Sequence, residues 1–486
     1  MNTSIVLIPI LFPMIMAILI GVGRFKEKIR NIIATITVFS NLFFIMYIFK
    51  NKGAVFFTVL KINEFLDIYL KIDKLGVFFS LLVSTLWIFT TFYSMEYMKH
   101  EGKENRFFAF FLVTLGVTLG ISFSGNLVTL YLFYELLTLA TFPLVIHSGS
   151  KEALKSGRKY LIYSFVGATF VLLGMILLFT ITNGLDFYPK GIIKNFNSNK
   201  ILISISYIVM FLGFGVKAAL VPFHSWLPNA MVAPTPVSSL LHAVAVVKSG
   251  VFALIRITYY VFGMEIVKQI YARKYLLLFV IISILMGSFL ALHQSNLKKR
   301  LAYSTISQLG YILLGILILN RNAFVGGLLH LINHAVIKIT LFFCVGTIMY
   351  TRGKTDIDEI KGIGKEMPYT MWCFTISSIS LIGIPPTNGF VSKWYLAQGG
   401  LIAGKIIFPA ILLISALLTA MYLLPIITVA FFRRDDEHKG LEKIEIREAP
   451  IKMLVPIILI TCITIILGLY PNPILNFLFE ISKEVI

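Results

Sequence analysis

Residues 330–338 read HLINHAVIK and lie inside the apolar stretch 323–350. His330, His334 and Lys338 are four residues apart, so on an α-helix they share one face over about 12 Å. Three groups that can each take up or release a proton then stand in a row. Other ionisable side chains sit in comparable apolar surroundings: Glu135 in LYLFYELLTLAT, Lys217 in GFGVK, His224 in PFHSWLP, His242 and Lys248 in LLHAVAVVKSG, and Lys393 in GFVSK. Burial disfavours the charged form of such a group, and a nearby opposite charge favours it. A movable contact between a buried acid and a buried base therefore changes proton affinity, which suits a proton relay. Of the 23 Asp and Glu residues, Glu135 alone falls at the middle of a span. A charge at the bilayer centre costs roughly 2.5–3.5 kcal/mol on insertion scales, so it needs a partner or a neutralising proton.

Each of these residues has a plainer reading. His242 alone reads as a core histidine. Histidines at i and i+4 can ligate zinc, but carboxylate partners at this depth are scarce, and no metal or cofactor site is expected. Lys338 and Lys393 are too deep in their apolar segments to snorkel. Arg256 lies near a span end and reads as an interfacial anchor; His147 and His293 mark loop edges. On one continuous helix His242 and Lys248, six residues apart, would point about 120° away from each other and so touch different neighbours.

The elements that must position these groups are membrane helices. The chain has 486 residues, 58% hydrophobic and 14% charged, against about 25% charged for soluble domains. Apolar runs near 20 residues recur throughout, each long enough to cross a bilayer core. Fourteen spans are expected, centred near 13, 39, 85, 115, 137, 170, 210, 247, 283, 311, 337, 382, 418 and 460, the first of them a true span rather than a signal peptide. The fold class is all-α and polytopic. Cys344, Cys373 and Cys462 are isolated, with no CxxC or Cys/His cluster, which leaves iron–sulfur and zinc sites unsupported. There is no GxxxxGK[ST] loop for nucleotide hydrolysis.

The net charge of +20 does not call for nucleic acid. RFKEKIR, KHEGKENR, KEALKSGRK, LKKR, the 352–365 segment and RRDDEHKGLEKIEIR fall in alternate loops and hold most of the Lys and Arg. The positive-inside rule puts these loops in the cytoplasm and both termini outside, in a plasma membrane. GFGVK (213–217) and GFVSK (389–393) echo one another, and each adjoins helix-breaking Gly and Pro residues. Broken helices in matching places are a mark of transporters built from inverted repeats.

The stretch GVKAALVPFHSWLPNAMVAPTPVSSLLHAVAVVKSGVFALIR (215–256) resembles the signature of the antiporter-like subunits shared by respiratory complex I, the Mrp cation/proton antiporters and membrane-bound hydrogenases. HLINHAVIKITLFF, GIPPTNGFVSKW and LVTLYLFYELLTLAT match further motifs of that family, so the resemblance covers nearly the whole chain. It implies about fourteen helices, with helices 1–3 in 1–105, inverted five-helix repeats in 106–262 and 274–432, broken helices 7 and 12, and a cytoplasmic loop, last helix and short tail in 433–486. It assigns Glu135 and Lys217 as the paired glutamate and broken-helix lysine, Lys248 as the next site, His330, His334 and Lys338 as the connecting segment, and Lys393 as the terminal site of a horizontal, water-assisted path. His224 would lie on the way in. The implied function is proton or sodium translocation within a multisubunit complex, among other membrane subunits and with or without a peripheral redox module. The chain itself would hold no redox active site. A stand-alone secondary transporter of a small solute is the competing reading; it would need a selective polar pocket.

Overall fold

The computed structural model describes residues 3–51, 55–61, 67–432 and 446–486. Its helices in chain order are α1 (Ile8–Gly23), α2 (Glu27–Lys50), α3 (Lys74–Glu101), α4 (Glu104–Ser122), α5 (Leu127–Val145), α6 (Lys151–Thr182), α7 (Lys200–Lys217), α8 (Trp226–Asn229), α9 (Thr235–Ala243) and α10 (Val246–Arg256). There follow α11 (Met264–Gln269), α12 (Arg273–Leu292), α13 (Leu297–Ile318), α14 (Arg321–Arg352), α15 (Ile363–Glu366), α16 (Pro368–Ile382), α17 (Asn388–Ile402), α18 (Ile407–Phe432), α19 (Ile451–Leu469) and α20 (Asn472–Val485). The charged loop expected at 433–447 lies, up to 445, outside the described residues.

Thirteen helices among the described residues are long and apolar enough to cross a membrane alone. The fourteenth expected span, centred near 382, is the pair α16 and α17. Each is 15 residues long, or about 22 Å, and falls short of a 30 Å hydrocarbon core on its own. They meet end to end across 383–387.

Burial sorts the helices into two shells. The 235–262 segment is wholly enclosed, and α13 and α14 nearly so; α1, α2, α6, α12, α18 and α19 leave most of their length facing outward. Side chains exposed on the outer shell, such as Ile15, Ile18, Phe43, Leu173 and Leu417, are apolar, as lipid requires. The inner shell carries the polar groups. α14 packs against α9, α13, α16, α17, α19 and α20, so the HLINHAVIK face meets protein on all sides.

Three helices are interrupted where the chemistry lies. α7 ends at Lys217, and the carbonyl of Val216 accepts from the N–H of Ala219 at 3.1 Å and from the indole N–H of Trp226 at 2.8 Å. The span 235–262 breaks between α9 and α10: the N–H groups of Val244 and Ala245 both donate to the carbonyl of Leu240. This break removes the premise of the 120° estimate for His242 and Lys248, which belong to separate helical segments. The third break separates α16 from α17. GFGVK closes the half-helix before its break, whereas GFVSK opens the half-helix after its own, so the two motifs flank their breaks from opposite sides.

Two features depart from an all-helical chain with a simple tail. β1 (Phe56–Lys61) and β2 (Asp67–Lys71) pair antiparallel, with Phe56 opposite Lys71. The hydroxyl of Tyr69 donates to the carbonyl of Gly125 and to Asp186 Oδ1, each at 2.9 Å. Burial, with Asp186 beside it, pushes the Tyr69 phenol up and keeps it a donor. The segment expected as a tail forms α20, which buries Leu475, Leu478, Ile481 and Val485 on one face.

Candidate functional site

Lys217, His242, Lys248, His330, His334, Lys338 and Lys393 are all buried. Each is brought in on its own helical segment, apart from the three that share α14. Lys248 Nζ of α10 and His334 Nδ1 of α14 lie 2.7 Å apart. One turn away, His330 Nδ1 contacts Ser392 Oγ of α17 at 2.9 Å, and its Nε2 contacts Gln308 Oε1 of α13 at 3.0 Å. The His330 and His334 rings stack with centroids 6.2 Å apart. One turn the other way, Lys338 Nζ donates to the carbonyl of Leu301 at 3.0 Å and to Ser304 Oγ. The four-residue spacing of the sequence thus becomes a row bonded on both sides.

Lys393 stands beyond His330. Its ammonium donates to the carbonyls of Leu381 and Ile382, both at 2.7 Å. These are orphan acceptors at the C-terminal end of α16, where the helix dipole is negative. The lysine of one half-helix therefore caps the other. Gly383 makes this possible: it has φ +91°, and a Cβ there would come within 2.9 Å of Lys393 Cδ. The face of Tyr311 lies 5.2 Å from the ammonium.

At the opposite end, Lys217 donates to the backbone carbonyl of Tyr134, and its ammonium sits 3.4 Å above the centroid of the Tyr134 ring. Glu135 is the next residue, yet no ion pair joins it to Lys217 among the described residues. Its Oε1 is buried without a hydrogen-bond partner there. Glu135 is half-buried, on the face of α5 that also shows Leu132, Leu136 and Leu139 to the outside. α10 crosses the end of α7 at Gly250, where a Cβ would meet Ala218 N at 2.7 Å and the carbonyl carbon of Lys217 at 3.0 Å. That close approach sets Lys248 one half-turn from the Lys217 backbone, although no direct bond links the two side chains.

His242 is enclosed, and both its ring nitrogens lack a hydrogen-bond partner among the described residues. The ring of Phe342 packs against it, centroids 4.9 Å apart. His224 is not drawn into the row. It lies in the turn after α7, half-buried, with Nδ1 unpartnered and Lys159 as the nearby cation.

Several participants were not singled out from the sequence. Ser304, Gln308 and Tyr311 form a stripe at helical spacing on α13, opposite Lys338, His330 and Lys393. The polar run YSTISQLGY within an apolar span is the signal that marks them. Asn333 ties α14 to the joint of α17, its amide donating to the Asn388 carbonyl at 2.7 Å. Lys298, expected in a cytoplasmic loop, is buried at the start of α13 and donates to the Ala233 carbonyl at 2.6 Å.

Arg256 corrects an expectation outright. It is no interfacial anchor: its guanidinium is fully buried and grips Asp73 with two hydrogen bonds of 2.5 and 2.8 Å. A guanidinium so enclosed needs a fork-matched carboxylate, and the rings of Phe187, Phe252 and Tyr260 pack around it.

Residues 124–419 match the family model described as NADH:quinone oxidoreductase/Mrp antiporter, transmembrane. The chain belongs to this family. Residues 61–108 match a second model, the N-terminus of complex I chain 5. Among curated relatives, NADH-quinone oxidoreductase subunit N of Desulforudis audaxviator is 34% identical over 429 residues, 84% of this chain and 83% of that one. A Na(+)/H(+) antiporter subunit of Alkalihalophilus pseudofirmus is 24% identical, covering 99% of this chain and 97% of that one. A chain of the Mrp complex from Dietzia sp. DQ12-45-1b superposes with a TM-score of 0.89 at 20% identity, covering 100% of this chain and 98% of that chain, and shows the same fold. The protein is therefore an antiporter-like, multi-span membrane subunit, and subunits of this family work beside other membrane subunits.

Proposed function

We propose that this chain carries protons along the row Glu135, Lys217, Lys248, His334, His330 and Lys393, with Lys338 and His242 as the branch by which protons enter or leave the row at the end that bears the basic loops. The observation that carries the reading is the 2.7 Å contact between Lys248 Nζ and His334 Nδ1, a direct bond between two proton-binding groups on different helices. A proton held by one is within transfer distance of the other. Elsewhere the row has gaps, between Glu135 and Lys217, between Lys217 and Lys248, at His334 Nε2, and on the branch at both nitrogens of His242, which bound water would bridge. Amines and imidazoles dominate the row, and Glu135 is its only carboxylate. Such a path offers nitrogen lone pairs that bind protons and few of the oxygen ligands that a hard cation such as sodium takes, so any sodium movement would use a different route or partner.

The open arrangement of Glu135 and Lys217 corresponds to one state of a switch. A carboxylate brought to a buried lysine favours its charged form; withdrawing the carboxylate favours release of the proton. The two inverted repeats, 106–262 and 274–432, would each contribute one half-channel. The basic loops would face the cytoplasm and both termini the outside of a plasma membrane. The driving reaction would come from partner subunits, redox-active or not.

The test is proton transport by the assembled, reconstituted complex carrying Lys248→Met. Loss of transport with assembly intact supports the relay; transport at the wild-type rate refutes it.

A further inference from the structure

Between α1 and α4, at the end of the molecule that carries the basic loops, lies a groove of 690 Å³. Its walls are apolar and include Ala17, Gly21, Phe110 and Val113; its rim is formed by Arg24, Lys103 and Arg106. Glu104 is the acid on this rim, and Arg30 already neutralises it. Arg24, Lys103 and Arg106 make no ion pair with any described acid. Arg106 is fixed in place, its Nη2 donating to the carbonyl of His147 at 2.6 Å, while its Nε is buried with no partner among the described residues. Three uncompensated cations thus overhang a slot lined with hydrocarbon, beside α1, most of whose length faces outward.

We propose that this groove is a binding site for an anionic glycerophospholipid. Its phosphate would lie among Arg24, Lys103 and Arg106, and an acyl chain would run down between α1 and α4. Charge complementarity selects the headgroup, and the apolar depth selects a lipid over a free anion. Basic pockets between membrane helices hold anionic headgroups by this combination, and the positive-inside distribution supplies the cations on the matching side. The site lies away from the proton row, so its success or failure is independent of the transport reading.

The assembled complex, purified in detergent, would be titrated with dioctanoyl phosphatidylglycerol, dioctanoyl phosphatidylcholine or inorganic phosphate, and bound lipid counted by native mass spectrometry. The expected result is one phosphatidylglycerol site per chain that phosphatidylcholine does not fill and inorganic phosphate does not empty. Arg24→Gln with Lys103→Gln, both exposed positions, should weaken it by about 25-fold, at about fivefold for each cation removed. Gly21→Leu keeps every charge and fills the slot, since a Cβ there already meets Ala109 Cβ at 3.5 Å; it should abolish the site as well. Equal binding of the two lipids, displacement by phosphate, or unchanged binding in both variants would each overturn the proposal. So would a disulfide cross-link from Val22→Cys to another subunit, which would show protein in the groove.

Discussion

Lys248 and His334 meet across two helices through one hydrogen bond, 2.7 Å from Nζ to Nδ1, in a part of the protein where every neighbouring side chain is buried. Neither group is tied to a carboxylate there. Two bases that share one contact in so buried a place cannot both hold a charge cheaply. The pair is thus suited to hold one proton and pass it on.

Lys338→Ala should lower proton transport by about tenfold or more, the factor that 1.4 kcal/mol of barrier corresponds to, while the complex still assembles. Its ammonium is held by Leu301 and Ser304, and its stem is fully buried, so the truncation also opens a cavity and intact assembly is the control that separates lost packing from a lost proton site. Assembly is checked by size-exclusion chromatography, transport by dye quenching in proteoliposomes. Wild-type transport by an assembled variant would remove Lys338 from the path.

Gln308→Leu removes the partner of His330 Nε2 and leaves a buried nitrogen unsatisfied, at a cost of about 1–3 kcal/mol. Transport should fall with little change in subunit composition, and Gln308→Glu should not restore it, because a carboxylate there would hold His330 in its charged form. A Glu variant that transports like the wild type would show that the row tolerates a fixed charge at this point.

His330 and His334 have the i, i+4 spacing of a metal pair, but both His330 nitrogens are committed to Ser392 and Gln308. His334→Gln should impair transport, and the isolated complex should contain no zinc, iron or haem stoichiometric with this chain. Elemental analysis and an optical spectrum decide the second part. One metal per chain, lost in the variant, would favour ligation over proton transfer.

Asp73→Asn should destabilise the complex strongly, because it strands the buried Arg256 guanidinium; breaking such a pair costs roughly 3–5 kcal/mol. Replacing both, Arg256→Met with Asp73→Leu, should cost less than the single change. Thermal unfolding of the detergent-solubilised complex measures this. Equal thermal stability of Asp73→Asn and wild type would mean the pair contributes nothing.

The row was legible in the sequence because its members are ionisable residues in apolar runs, and four-residue spacing on α14 needs no tertiary knowledge. The span count was legible from hydropathy; that the span centred near 382 is two short halves, α16 and α17, was signalled only by the helix-breaking Gly and Pro residues beside GFVSK. What escaped was set by tertiary packing. Arg256 near a span end looks like an anchor until Asp73, 183 positions earlier, closes on it. Lys298 sits in a run of basic residues that reads as a loop, but the carbonyl of Ala233 draws it inside. The break between α9 and α10 lacks any Gly or Pro in AVAV, so no local signal announces it. Ser304, Gln308 and Tyr311 are flagged only by the polar run YSTISQLGY in an apolar span; which partners they serve comes from what lies opposite.

The most direct test of the central claim compares Glu135→Gln with Glu135→Asp. Glu135 and Lys217 are adjacent to the same residue, Tyr134, and yet are unpaired in this structure. If a moving carboxylate switches the proton affinity of Lys217, the charge is essential and its reach is adjustable. The measurement is the initial rate of proton transport by assembled complexes in proteoliposomes. The account predicts that Glu135→Gln, which keeps the shape and removes the charge, falls to background, while Glu135→Asp retains part of the wild-type rate. A Gln variant that transports as fast as wild type, or an Asp variant as inactive as Gln, would contradict it.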